Sequence, residues 1–220
     1  MVNFYIKIKY ITKNTLMELK KEVVLAIWDR DYSWIKKISP CIKITKYNKN
    51  INSLKEDHIF LEKNVGRDVH TFFRHIVKNY DSLADYTFFA QDYVEDHVYN
   101  YPEIINGGIK ELQKYAIKDL GGCWFFNTEW NCSLYCDHNG SPNHVGLPLK
   151  RIWYSIMEEE IPSIIEFVPA GHFCVTREHV HIRPLQYYEK ILNVLETETE
   201  SPWCIERFET YIFSNKIKIT

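Results

Sequence analysis

Residues 64–97, NVGRDVHTFFRHIVKNYDSLADYTFFAQDYVEDH, decide the fold of this chain. A glycine turn at Gly66 leads into residues whose apolar positions recur at helical spacing: Val69, Phe72, Phe73, Ile76, Val77 and Tyr80. This spacing predicts a helix with one buried face, and Asp68 is its predicted N-cap. Residues 86–90 form a short apolar run, which is typical of a strand buried on both faces. Acidic residues follow that run directly.

The segments on either side alternate between strand-like and helix-like patterns. Strands are predicted at residues 2–11, 22–28, 41–47, 58–61, 164–167 and 173–176. Helices are predicted at residues 33–38, 104–115, 148–159, 176–195 with a break at Pro184, and 203–213. Residues 121–148 are rich in Gly, Asn, Cys and aromatic residues, so a long irregular segment is expected there. The interleaving predicts an α/β fold with a mostly parallel sheet flanked by helices, in a single domain over residues 1–220.

Composition excludes some classes of protein. The net charge of -2 gives no reason to expect nucleic-acid binding. No run approaches the roughly 18 apolar residues of a membrane span, and residues 2–11 lack the apolar core of a secretory signal. Six cysteines without such a signal are typical of reduced thiols. A cytoplasmic location is therefore expected, which is the host cytoplasm if the chain is viral.

Charged side chains follow the predicted buried strands. Ligands of α/β sheets bind at the carboxyl ends of strands, so Asp29, after residues 22–28, is expected to face a ligand; it could instead begin the next helix. Asp92 directly follows residues 86–90, with Asp96 and His97 nearby. Hard oxygen ligands suit Mg²⁺ or Mn²⁺, which makes Asp92 a candidate metal ligand. The alternative for Asp92 is a loop acid or a helix cap.

Two further motifs carry possible chemistry. In Gly66-Arg67-Asp68, the guanidinium suits bidentate phosphate binding and the carboxylate can accept ribose hydroxyl protons; the alternative is a turn with an N-cap. Glu206, in the last predicted helix, is a candidate general base that would remove a proton from an attacking hydroxyl. An adjacent Glu-Arg pair such as Glu206-Arg207 is otherwise an ordinary solvated helix face.

Cysteine and histidine residues raise a zinc hypothesis. The ligand types are right at Cys132, Cys136, His138 and His144, but their spacing matches no strong zinc pattern. The alternative is two buried thiols and two loop histidines. His172 stands apart from this group and is by itself an ordinary surface or core histidine.

Several blocks resemble a poorly characterised family found in fungi, algae, bacteria and large viruses. Residues 23–34, VVLAIWDRDYSW, resemble its first strand and the turn after it, and residues 64–83 resemble its Asn-x-Gly-Arg-Glu block. Residues 87–97 resemble its Phe-x-Gln strand end, while residues 167–175 and 206–213 resemble its closing blocks. The family is similar to the small GT-A glycosyltransferases of large algal viruses.

The resemblance implies a GT-A-like, Rossmann-like fold, a nucleotide-sugar donor, and Mn²⁺ or Mg²⁺ held by an Asp-x-Asp element. Here that element reads Ala90-Gln91-Asp92, so only its last acid is present. Asp96 or His172 would complete the metal shell around Asp92. The expected nucleotide-binding residues are Asp29, Arg67, Asp68 and Gln91, and the expected catalytic base is Glu206.

The expected function is therefore transfer of a sugar from a nucleoside-diphosphate donor to a glycan or another hydroxyl acceptor. The incomplete acidic element leaves open a non-catalytic nucleotide- or carbohydrate-binding module of the same fold. The Cys and His residues between positions 132 and 144 leave open a zinc-stabilised interaction protein.

Overall fold

The computed structural model describes residues 19–128, 132–136, 140–141, 144–169 and 171–214, so the predicted strand at residues 2–11 lies outside the described residues. The strands are β1 (Lys21–Ile27), β2 (Lys43–Asn48), β3 (Ile59–Phe60), β4 (Tyr86–Gln91), β5 (Lys118–Asp119), β6 (Cys123–Phe125), β7 (Cys132–Tyr135), β8 (Gly140–Ser141), β9 (His144–Val145), β10 (Ile164–Phe167) and β11 (Phe173–Thr176). The helices are α1 (Arg67–Asn79), α2 (Tyr101–Asn106), α3 (Ile109–Tyr115), α4 (Leu149–Met157), α5 (Arg177–Val180), α6 (Leu185–Thr197) and α7 (Ser201–Ile212), with 3-10 turns at Ser33–Lys37, Ile51–Ser53 and Tyr80–Ser82. None of the helices in these described ranges is both long and apolar enough to cross a lipid bilayer.

Seven strands form one mixed sheet in the order β3-β2-β1-β4-β11-β6-β5. The pairs among β3, β2, β1 and β4 are parallel, whereas β11 is antiparallel to both β4 and β6, and β5 is antiparallel to β6. β6 therefore points the same way as the four parallel strands. The predicted α/β fold with a mostly parallel sheet and flanking helices is confirmed.

The sheet is buried on both faces because its central strands are apolar throughout. Along β1, Val24 faces one core cluster, with Phe72 and Phe73 of α1, while Val23 and Leu25 face the other. The second cluster contains Trp34 and, on α2, Tyr101, among others. Burying a large apolar side chain contributes about 1.5–3 kcal/mol, so these two layers fix the positions of β1 and β4.

Three local predictions need correction. The N-cap of α1 is Gly66, not Asp68, which lies in the first turn and makes no cap hydrogen bond. The single helix predicted at residues 104–115 is two helices divided at Gly107 and Gly108, because glycine weakens a helix interior. The segment at residues 121–148 is not irregular throughout, since it contains β6, β7, β8 and β9, which are too short to show a period.

Candidate ligand-binding site

A cavity of about 360 Å³ lies at the carboxyl ends of β1 and β4. Its wall is formed by residues 26–30 at the end of β1, Lys49 after β2, the start of α1, and the end of β4. The chain continues from β1 to β2 and β3 on one side, then returns through α1 to β4 on the other. The strand order therefore reverses between β1 and β4, which is where open α/β sheets bind ligands.

Five of the residues singled out in the sequence meet at this cavity: Asp29, Arg67, Asp68, Gln91 and Asp92 all line it. The other three, Asp96, His172 and Glu206, do not belong to its wall. The cavity therefore brings together the ends of β1 and β4 and the glycine turn before α1.

The carboxylate of Asp92 holds the turn after β1. Its Oδ2 accepts hydrogen bonds from the backbone N–H groups of Trp28, Asp29 and Arg30, at 2.9, 3.2 and 3.0 Å. Its Oδ1 accepts a fourth from Tyr93, at 3.0 Å. Asp92 is only 6% exposed, so both oxygens are engaged in shaping the cavity wall.

The turn before α1 has an unusual backbone. Gly66 (φ 64°) and Arg67 (φ 53°) both lie in the left-handed region, which is uncommon for a residue with a side chain. The ammonium of Lys49 donates hydrogen bonds to the carbonyl oxygens on either side of Gly66, those of Val65 (2.6 Å) and Arg67. Strain of this kind persists only where neighbouring groups hold it, and Lys49 is such a group.

Three cations border the cavity: Arg30, Lys49 and Arg67. Burial lowers the pKa of Lys49 to about 8, although the charge of Asp68 acts in the opposite direction. The guanidinium of Arg30 lies 4.4 Å from the centre of the Tyr93 ring. Together with the N–H groups at the start of α1, these cations make this wall suited to an anion.

Asp68 faces the same space from the first turn of α1. Its Oδ2 accepts a hydrogen bond of 2.6 Å from Nε2 of Gln91, which links α1 to the end of β4. A Cβ on Gly171 (φ 59°) would lie 3.4 Å from this oxygen. The segment before β11 therefore brings its backbone close to Asp68.

The predicted metal ligands are not gathered around one point. Asp96 forms an ion pair with Arg30 at 3.5 Å, while the buried His172 packs against the rings of Tyr101 and His97 at 5.6 and 6.0 Å. Across the described part of the chain, no group of three His, Cys, Asp or Glu side chains is arranged to hold a metal ion. The Asp92 oxygens instead accept four N–H groups.

Glu206 lies on α7, whose first turns approach the cavity. The ring of Trp203, one turn earlier, is 5.6 Å from the guanidinium of Arg67. Glu206 is half-buried and, with Arg207, acts electrostatically on the thiol of Cys132 in β7. Glu206 thus lies outside the wall, on the helix whose Trp203 contacts the wall residue Arg67.

The described residues, Cys132 and Cys136, do not support the zinc hypothesis. Cys132 begins β7 and Cys136 follows its last residue. Four residues of extended strand span about 13 Å, whereas two sulfurs on one zinc ion lie within about 4.6 Å. His138 and the side chain of His144 lie outside the described residues.

Three residues at or near the cavity carry no distinct signal in the sequence. Lys49 directly follows β2, within a polar, Asn-rich segment. Arg30 stands between Asp29 and Asp31. Glu209 is three residues after Glu206, the spacing that brings side chains together on a helix, and it is fully buried.

Searches of curated proteins and of solved structures found no significant match. One family model, described as a protein of unknown function (DUF3431), matches residues 23–218. This match includes every strand and helix described above except the first residues of β1. The chain therefore belongs to the DUF3431 family.

Proposed function

We propose that the protein is a glycosyltransferase that moves a sugar from a nucleoside-diphosphate donor to a hydroxyl acceptor. The observation that carries the proposal is the cavity where the strand order reverses, bordered by Arg30, Lys49, Arg67 and the start of α1. A diphosphate needs such a concentration of positive charge. The carboxylates of Asp29 and Asp68 in the same wall suit ribose or sugar hydroxyl groups.

The proposed reaction needs two kinds of assistance from the chain. The acceptor oxygen attacks the anomeric carbon, the bond from that carbon to the diphosphate oxygen breaks, and the acceptor loses its proton. The three cations and the α1 N–H groups would stabilise the charge that develops on the leaving diphosphate. Glu206, on the helix that reaches Arg67 through Trp203, would take the acceptor's proton.

The finer fold assignment is also a proposal. We infer a GT-A-like division of labour, in which the parallel strands β1, β2 and β4 hold the nucleotide. The elements after β4, including β11 and α7, would then approach the acceptor. The close approach of Gly171 and Trp203 to Asp68 and Arg67 supports this arrangement.

Divalent metal assistance does not follow from the predicted ligands, because Asp92 is engaged by backbone N–H groups. No step of the proposal depends on an ion. Mn²⁺ and Mg²⁺ are included in the test as variables.

The test is a thermal-shift screen of UDP- and GDP-sugars with and without Mn²⁺, followed by assays of sugar transfer and donor hydrolysis. A ligand at 100 times its Kd adds about 2.7 kcal/mol of stability, or roughly 5–10 °C for a chain of this size. Arg67→Ala should remove the shift and Glu206→Gln should remove turnover while the donor still binds. Arg151→Ala, which alters a surface ion pair with Glu198, is the matched control. A screen without any shift would refute the proposal.

A non-catalytic nucleotide-binding module is the second candidate. It is favoured by the engagement of Asp92, which leaves the Asp-x-Asp element without a free acid. This candidate predicts the same thermal shift but no transfer or hydrolysis with any acceptor. Stoichiometric zinc without nucleotide binding would instead support the zinc-stabilised interaction protein.

A further inference from the structure

Glu209 is a buried acid that the proposed reaction does not use. It lies on α7 and its exposed fraction is 0%. Among the described residues, neither oxygen of its carboxyl group has a hydrogen-bond partner. An ionised carboxylate in such a position carries a large desolvation penalty, so the neutral acid is the favoured form.

The charges around Glu209 also favour the neutral acid. Glu206 on the same helix and Asp68 on α1 both repel a negative charge on Glu209. On the sheet side its neighbour is the buried thiol of Cys123 in β6. Burial first, and then repulsion by Glu206 and Asp68, raises the pKa of Glu209 well above its usual range.

The three carboxyl groups differ in how well each can hold a charge. Asp68 accepts the Gln91 hydrogen bond at 2.6 Å and is close to the ammonium of Lys49. Glu206 is half-buried and retains contact with solvent. Glu209 has neither a donor nor solvent. Where several acids share one poorly solvated region, the least stabilised one takes up the proton.

We propose that Glu209 carries a proton in the folded protein, so that of these three carboxyl groups only Asp68 and Glu206 carry negative charge. The consequence for ligands rests on the proposed function, because it concerns the diphosphate. Ionisation of Glu209 would place another negative charge beside the anion site and weaken binding as the pH rises. Loss of the proton from Lys49 would also weaken binding as the pH rises, so an experiment must distinguish the effects of the two groups.

The first experiment needs no ligand. An acid with a raised pKa stabilises the folded state below its ordinary pKa of 4.5, and this contribution is lost as the pH rises toward the folded pKa. Glu209→Gln has no proton to lose. Relative to wild type, its folding equilibrium constant should therefore grow by up to about tenfold per pH unit above about pH 4.5.

Urea unfolding over a range of pH measures this ratio, with Glu189→Gln, a change of an exposed glutamate on α6, as the control. Parallel pH dependences of wild type and Glu209→Gln would overturn the proposal. If the variant does not fold, carbon NMR of the glutamate carboxyl groups decides the question in the wild-type protein. One glutamate carboxyl group should still be protonated at a pH where the other glutamates are ionised, and its absence would overturn the proposal.

The second experiment measures UDP and GDP binding by calorimetry at two pH values, one below and one above the titration of Glu209 that the first experiment finds. Lys49→Arg serves as the background because arginine keeps its charge over this range. For each protein, the dissociation constant at the higher pH is divided by the dissociation constant at the lower pH. This ratio should be severalfold larger in Lys49→Arg than in the double variant that carries Lys49→Arg and Glu209→Gln. Equal ratios would overturn the proposed effect on binding. If neither nucleotide binds, the proposed function fails, and the unfolding experiment decides the protonation of Glu209 alone.

Discussion

Replacing Asp92 by alanine tests whether this carboxylate holds the β1 turn. The change removes the acceptor of three consecutive N–H groups, in Trp28, Asp29 and Arg30, and of a fourth in Tyr93. A hydrogen bond to a charged group contributes about 1.5–3 kcal/mol. Water can reach the exposed turn and replace part of the loss, so we count two bonds at the lower end and expect about 3 kcal/mol.

Urea unfolding followed by tryptophan fluorescence measures this loss. Trp34 is a suitable reporter because its buried indole N–H donates to the backbone oxygen of Asp92, at 2.8 Å. The expected loss corresponds to a fall in Tm of roughly 6–12 °C. Asp96→Ala is the matched control, since its ion pair with Arg30 is exposed and pairs of this kind contribute about 0–1 kcal/mol.

A purely metal-binding Asp92 would give the opposite pattern. In EDTA the stability of Asp92→Ala would then equal that of wild type, and Mn²⁺ would stabilise only the wild-type protein. Unfolding free energies within about 0.5 kcal/mol of each other in EDTA would refute the structural role derived above.

Three further outcomes are expected. Gly66→Ala should destabilise the protein by about 3 kcal/mol in urea unfolding, because the new Cβ would lie 2.5 Å from the Cβ of His70 at a φ of +64°. Gly121 has a φ of +76° but open space around it, so Gly121→Ala should destabilise the protein by only about 1 kcal/mol. Burial lowers the pKa values of His70 and His75 to about 4, so at these two sites the unfolded chain binds more protons than the folded protein between pH 6.5 and 4. Each site therefore contributes a loss of stability as the pH falls through this window, and the slope measured for His75→Gln should differ from that of wild type by up to about 1.4 kcal/mol per pH unit. Lys49→Met should weaken pyrophosphate binding, measured by calorimetry, about tenfold at neutral pH. Wild-type binding should decline above about pH 8, where Lys49 loses its charge. Unchanged affinity in Lys49→Met would contradict the place of Lys49 in the anion site.

The sequence predicts the parallel half of the sheet well because burial leaves a local trace there. Residues 22–28 and 86–90 are apolar without interruption, and strands of this kind end at a common edge. The meeting of Asp29 and Asp92 at the cavity follows from that rule alone. The hydrogen bonds of Asp92 do not, because they join residues more than 60 positions apart.

The remaining features depend on tertiary packing. The antiparallel position of β11 between β4 and β6 leaves no pattern in Phe173–Thr176 itself. The identity of Gly66 as N-cap also depends on its backbone angle, whereas Asp68 is the residue type expected at a cap. Glu209 has the spacing of a surface partner to Glu206, and only the packing of α7 against α1, α4 and β10 buries it.

The late arrival of β11 has a consequence for synthesis on the ribosome. β1, β2 and β4, with α1, are complete once residue 91 has emerged, so the nucleotide half can assemble early. β4 and β6 are joined only through β11, which emerges about 50 residues after β6. Until then both strands expose unpaired edges to other nascent chains. A ribosome that stalls between residues 126 and 172 should therefore yield a product that aggregates. A chain released shortly after residue 176 should not leave these edges open.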